Sequence, residues 1–201
     1  YGQISELDEL SEITSIAAGR EHGLALSEDG TVSAWGRNDY GQASVPEDLT
    51  DVVAISAGYF HSLALKSDGE VIAWGDDSYG QGSVTEELSG VTAIDAGGFH
   101  NIALKDDGTV VVWGRNNYEQ ANVPDGLSGA IAVSAGTVHC IALKDDGIMV
   151  GWGRNNYDQA DALIGLNPAD LREADLRGAD LSGVNLSGVQ LDKADLDRVM
   201  S

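Results

Sequence analysis

Gly58-Tyr59-Phe60-His61-Ser62-Leu63-Ala64-Leu65, followed by Asp68-Gly69, Ala73-Trp74-Gly75 and Tyr79-Gly80-Gln81, is the stretch that decides the fold. The same residue types return on either side at a step of 39 residues: Trp35, Trp74, Trp113 and Trp152, with His22, His61, His100 and His139. Tyr1, Tyr40, Tyr79, Tyr118 and Tyr157 keep that step too. Three residue types in one register define a tandem repeat. Each unit reads Val-x-Ala-Ile-x-Ala-Gly-x-x-His-x-Leu-Ala-Leu-x-x-Asp-Gly-x-Val-x-x-Trp-Gly-x-Asn-x-Tyr-x-Gln, and four units fill residues 1–159.

Within a unit, Ser62–Lys66 and Glu70–Trp74 are short runs with β-type composition, and a further strand ends at Ala57-Gly58. Asp68-Gly69 lies between the first two, with Asp29-Gly30, Asp107-Gly108 and Asp146-Gly147 as counterparts. Asp-Gly between such runs predicts a type I′ hairpin, with positive φ at both central residues. Pro46 and Pro124 fall between units, where a missing N–H breaks no ladder. Units of three or four short antiparallel strands at about 40 residues predict β-propeller blades, each face covered by the next blade. The Leu-Ala-Leu and Val-x-x-Trp strands supply that core.

Composition narrows the function classes. The chain of 201 residues carries 11 Lys and Arg against 33 Asp and Glu, a formal charge of −22. Nucleic acid is a polyanion held largely by Lys and Arg, so it is excluded as an expected partner, and an anionic membrane surface with it. A partner protein with a basic surface is the electrostatic match to that charge. No apolar run is long enough to span a membrane. Cys140 is the only cysteine, so no intrachain disulfide exists. The sequence opens at Tyr1 with no charged-then-apolar leader, which reads as a processed form or a fragment.

The quoted segments resemble the regulator-of-chromosome-condensation type of propeller repeat. The compact spacing and the Val-Pro element resemble, within it, the secreted propeller-type β-lactamase inhibitor branch. That resemblance covers residues 1–159 and implies blades that usually close seven to a ring. Four units then imply part of a larger or oligomeric propeller. With the acidity, the inhibitor likeness points to a secreted or cell-envelope location in a bacterium. Guanine-nucleotide exchange, an activity of one branch, is not expected, because the even spacing leaves no room for a long inserted wedge.

The period changes in residues 160–201. Leu166, Leu171, Leu176, Leu181, Leu186, Leu191 and Leu196 recur every fifth residue. A small or aliphatic residue stands two before each, as in Ala174-Asp175-Leu176-Arg177-Gly178. Neither helix nor strand keeps every fifth residue on one face. The pattern resembles the pentapeptide-repeat family, which implies a right-handed quadrilateral β-helix stub of just under two coils over residues 164–198. Asn185-Leu186-Ser187 matches a glycosylation sequon inside this pattern.

Candidate chemistry is sparse. One histidine per unit gives a ring of equivalent positions rather than a metal cluster, and each imidazole reads as tying a strand end to a neighbouring loop. The tryptophans read as core. Asp76-Asp77, Asp106-Asp107 and Asp145-Asp146 are paired carboxylates on turns, read as solvated. Cys140 replaces Gly23, Ser62 and Asn101 of the other units, a slot for small residues, and reads as inert. No catalytic residue, metal ligand or cofactor motif is expected.

The informative positions are those that vary on a fixed framework: Arg20-Glu21, Tyr59-Phe60, Gly98-Phe99 and Thr137-Val138, between Ala-Gly and His. In the inhibitor branch this turn lies on the partner-binding face and carries aromatic contacts. The resemblance therefore implies partner binding at Tyr59, Phe60 and Phe99, flanked by Arg20 and Glu21. The alternative is that these rings merely cover a blade edge. Two function classes follow: a non-enzymatic protein-binding module using turn loops on one propeller face, or a structural subunit joining copies through open blade edges and the tail.

Overall fold

The structure, a computed structural model, describes residues 12–85 and 88–160. Twelve strands in that stretch make four three-stranded antiparallel sheets, in chain order: β1(Ile13–Ala18), β2(His22–Ser27), β3(Val32–Gly36); β4(Val52–Ala57), β5(His61–Lys66), β6(Val71–Gly75); β7(Val91–Ala96), β8(His100–Lys105), β9(Val110–Gly114); β10(Ala130–Ala135), β11(His139–Lys144), β12(Met149–Gly153). Each sheet is a meander with its second strand central, and none of the described residues is helical. These are the four expected blades. The tail reading falls on residues outside those described.

The hairpin at each Asp-Gly is present, but its turn is not type I′. Gly30, Gly69, Gly108 and Gly147 have φ between 78° and 85°, whereas the aspartates before them keep negative φ. Gly69 N–H bonds Lys66 C=O at 3.0 Å, and Lys66 N–H bonds Glu70 C=O at 2.9 Å. That is a three-residue loop ending in a left-handed glycine bulge. The aspartate serves instead as an acceptor. Asp68 Oδ1 accepts from Glu70 N–H at 3.0 Å, and Asp29, Asp107 and Asp146 do the same two residues on. All four carboxyls are held below the usual carboxylate range, Asp29 and Asp68 chiefly by this accepted bond, Asp107 chiefly by the Thr109 hydroxyl and then by this bond, and Asp146 chiefly by Lys144.

Three apolar seams join the four blades. In the first, Leu24, Leu26 and Val32 of β2 and β3 meet Val52, Ala64 and Trp74 of the next blade. Leu63, Leu65 and Val71 meet Val91, Ala103 and Trp113 in the second, and Ile102, Leu104 and Val110 meet Ala130, Ala142 and Trp152 in the third. Each blade therefore offers aliphatic side chains forward and receives its neighbour on Ala and Trp. Among the described residues no seam joins the first and last blades. Trp35, facing backward from the first blade, is only half-buried, while its three counterparts are buried.

Each seam also has one buried polar latch. His22 Nε2 lies 3.0 Å from Ser62 Oγ, His61 Nε2 2.6 Å from Asn101 Oδ1, and His100 Nε2 3.3 Å from Cys140 Sγ. Asn101 Oδ1 only accepts, so His61 carries its proton on Nε2. Ser62 Oγ, Asn101 Nδ2 and Cys140 Sγ in turn donate to the carbonyls of Gln42, Gln81 and Gln120. The same carbonyls accept from Trp74, Trp113 and Trp152 Nε1. The histidines thus tie blade to blade through the small-residue slot, not a strand end to a loop. Burial lowers all three imidazoles, His22 and His100 to about 4, and raises the Cys140 thiol to about 12.

The imidazole packs directly against the glycine three residues before it. A Cβ on Gly58 would come within 2.1 Å of His61 Cε1 and 2.6 Å of Gly97 C=O, which explains the fixed Ala-Gly step. Nearer the axis, Asp95 of β7 takes hydrogen bonds from Ser56 Oγ at 2.9 Å, Ser134 Oγ at 3.0 Å and Ala135 N–H at 2.8 Å. One carboxylate thereby brackets three blades. Asp95 stands where other units have Ala17, Ser56 and Ser134, a position that carried no signal in the sequence.

Candidate functional site

The antiparallel register sets which segments share an end of the blades. His22 pairs with Gly36 and His61 with Gly75, so the turn before each second strand lies beside the exit from the third. Backbone bonds fasten the two: Arg37 N–H to Glu21 C=O, Asp76 to Phe60, Arg115 to Phe99 and Arg154 to Val138, at 2.8–2.9 Å. Beyond the exit, buried Gln42, Gln81 and Gln120 accept from the N–H of Tyr40, Tyr79 and Tyr118 at 2.9 Å. That bond fixes where each tyrosine ring stands.

Five rings meet at this end in continuous contact. Tyr59 lies 5.4 Å from Phe99, Phe60 lies 6.0 Å from Phe99, and Tyr59 and Phe60 are 6.3 Å apart. Tyr40 extends the cluster from Phe60 at 5.2 Å, and Tyr79 from Phe99 at 5.4 Å. All five contacts are tilted or edge-on, the arrangement the ring quadrupole favours. Phe60 and Phe99 are half-buried, while Tyr40 and Tyr79 are exposed, so the cluster is a surface rather than a seam. Tyr59 is braced across two blades: its N–H reaches Gly98 C=O at 3.1 Å and its hydroxyl Thr137 Oγ1 at 3.2 Å.

All five expected site residues are brought together. Arg20 lies over the Tyr59 and Phe60 rings at 5.4 and 5.7 Å. Glu21 instead pairs with Arg37, which also holds Asp39, so its role here is to fix that guanidinium. The sequence reading missed Tyr40, Tyr79 and Tyr118, along with Arg37, Arg115 and Arg154. The 39-residue tyrosine register was visible, but only antiparallel pairing shows that it converges on the variable turns. Asp76 corrects another expectation. It is buried, not solvated, and accepts from Ser78 and from Gln81 Nε2.

Behind the rings, the Ala-Gly ends of β1, β4, β7 and β10 wall an open groove of about 650 Å³. Its lining is alanine and glycine, joined by Arg20, Tyr59 and Thr137. Among the described residues, no three His, Cys, Asp or Glu side chains are grouped to hold a metal ion.

Stacked three-stranded blades with a latched seam define a β-propeller repeat protein. The family model for the regulator of chromosome condensation (RCC1) repeat matches residues 13–42, 52–81, 91–120 and 130–159. The chain belongs to the RCC1 repeat family. Pentapeptide repeats match residues 167–199. Among solved structures, Prp20p from Saccharomyces cerevisiae is similar at 23% identity and a TM-score of 0.64, over 73% of this chain and 47% of that one. Human WBSCR16 is similar at 24% and 0.63, over 92% and 55%. The ectodomain of the Physcomitrella patens receptor kinase CR4 is similar at 23% and 0.59, over 73% and 42%. The chain spans about half the length of these structures, and the likeness is one of fold. No curated protein sequence matches the chain.

Proposed function

We propose that this chain is a non-enzymatic protein-binding module whose contact surface is the ring-bearing end of the blades. The observation that carries this reading is the continuous cluster of Tyr40, Tyr59, Phe60, Tyr79 and Phe99, held on a rigid framework and open to solvent on one side. Aromatic side chains offer large contact area at low entropic cost and dominate binding hot spots. The histidines do not favour a catalytic reading, since three of them are neutral and engaged in seams. The fold relative Prp20p, described with its binding properties to Gsp1p and histones, agrees in kind. The test is affinity capture and titration with Phe60→Ala/Phe99→Ala. Loss of at least about 2 kcal/mol of partner binding, with unchanged thermal unfolding, supports the site. Undiminished binding removes it.

A second reading, assembly through open blade faces, rests on a separate observation. On the first blade Ile16 is 77% exposed beside half-buried Trp35, whereas its counterparts Ile55, Ile94 and Val133 pack in seams. Ile141 and Leu143 hold the forward positions that Leu24 and Leu26 hold in a seam, and neither is fully buried. Light scattering across concentrations tests it: mass that falls towards the monomer with Ile16→Glu supports assembly, and a concentration-independent monomer refutes it.

A further inference from the structure

The two kinds of cation are divided between the two ends of the blades. All four arginines of residues 12–160 (Arg20, Arg37, Arg115 and Arg154) stand at the ring-bearing end, while all three lysines (Lys66, Lys105 and Lys144) close the second strand at the Asp-Gly end. Two of those lysines are consumed locally, Lys66 by Asp68 and Glu70 and Lys144 by Asp146. Among the described residues, only Arg37 of these arginines has carboxylate partners. The other three lie on rings. Arg115 is 5.1 Å from Tyr79, 5.8 Å from Phe99 and 5.7 Å from Tyr118, and Arg154 is 5.3 Å from Tyr118.

A ring face attracts a cation without neutralising it. Moreover, Arg115 Nε and Arg154 Nε are buried and have no acceptor among the described residues. Comparison of the second and third blades sharpens the point. Asp76 gives Gln81 Nε2 its acceptor at 2.9 Å. Arg115 holds the equivalent place in the next blade, and there Gln120 Nε2 has none. The position has changed from acceptor to donor, and Arg115 Nε and Gln120 Nε2 are left without acceptors among the described residues, although Glu21, Asp39, Asp76, Asp77, Glu119 and Asp158 stand at the same end. Planar guanidiniums backed by rings are the side chains best suited to grip carboxylates two-pronged.

We infer that the ring-bearing end recognises an acidic peptide segment, one that places carboxylates on Arg20, Arg115 and Arg154 and an apolar side chain on Phe60 and Phe99. This deepens the binding-surface reading and rests on it, and it replaces the basic partner expected from net charge. The net charge of −22 acts at a distance and is screened beyond about 8 Å at physiological salt, whereas contact pairs are screened much less. Contact chemistry therefore decides the choice of partner, and the overall field mainly slows its approach.

The test titrates the full chain, at physiological salt, with three labelled peptides of equal length: alternating Glu and Phe, Gln and Phe, and Lys and Phe. The Glu peptide should bind at least tenfold more tightly than the other two. Arg115→Gln/Arg154→Gln should abolish that preference while leaving the intrinsic tryptophan emission unchanged, and Arg115→Lys should restore it only in part. Equal or tighter binding of the Lys peptide, no saturable binding of the Glu peptide, or a preference untouched by the arginine changes overturns the inference. Binding of all three peptides that is lost in Phe60→Ala/Phe99→Ala would retain the surface and reject its charge selectivity. Glu-peptide binding lost only in Lys66→Gln/Lys105→Gln/Lys144→Gln would reject both.

Discussion

Single residues at the seams carry more than their size suggests. Gly58 has ordinary backbone angles, yet a methyl group there would strike both His61 and the next blade. Gly58→Ala should destabilise the fold by more than about 2 kcal/mol, as overpacking of a tight site does, read as a lower denaturation midpoint. Cys140→Ser should shift stability by less than about 1.5 kcal/mol, because Ser62 already fills the same slot and makes the same two bonds. The latches also set a pH dependence. His22 and His100 titrate at about 4 when folded and near 6.5 when unfolded, and His61 is lowered as well. A depressed folded value means the unfolded chain binds the extra protons between those limits. Stability is therefore full above about pH 6.5 and falls as pH drops towards 4. Urea midpoints measured from pH 7.5 to 4.5 should show this slope, and His61→Gln should reduce it.

The three-stranded element was legible almost to the residue. Apolar alternation, the Asp-Gly pairs and the tryptophan register place all twelve strands, because each is a local signal repeated four times. The turn type was not legible. Asp-Gly also suits a loop in which only glycine is left-handed and aspartate is an acceptor, and the dipeptide alone does not distinguish the two. The energetic consequences differ. Asp68→Ala should cost about 0.5–1.5 kcal/mol through the lost bond to Glu70 N–H. Gly69→Ala should cost about 1–2 kcal/mol, since φ is +85° there. Asp68→Gly, neutral in a true type I′ turn, should instead weaken the hairpin. Thermal unfolding of the three variants decides the matter. The candidate site was half legible for a related reason. Variable turns announced Arg20, Glu21, Tyr59, Phe60 and Phe99, but the other arginines and tyrosines come from the far side of a strand pairing.

In the molecule as a whole, cohesion is nearest-neighbour: forward aliphatics meet backward Ala and Trp three times over. Two side chains add to this: Asp95 bonds the blades on both sides of its own, and Tyr59 reaches Thr137 two blades on. Asp95→Ala should cost about 1–3 kcal/mol, since it strands Ser56, Ser134 and Ala135 N–H, and hydrogen exchange should quicken in β4, β7 and β10 together. Exchange confined to β7 would show the bracket to be idle. No sequence pattern pointed to Asp95, because an inward position that varies looks like tolerance until the neighbouring blades are in place. The repeated seam also has a mechanical meaning. Blades joined one to the next, with no shared central core, are coupled in series along the polypeptide. Pulled by its two ends, such a chain should yield in discrete rips rather than one, each releasing a 39-residue unit with a contour gain of about 130 Å. The first and last blades, held on one side only among the described residues, should give way at the lowest force, and the Asp95 bracket should make the inner pair the last to part.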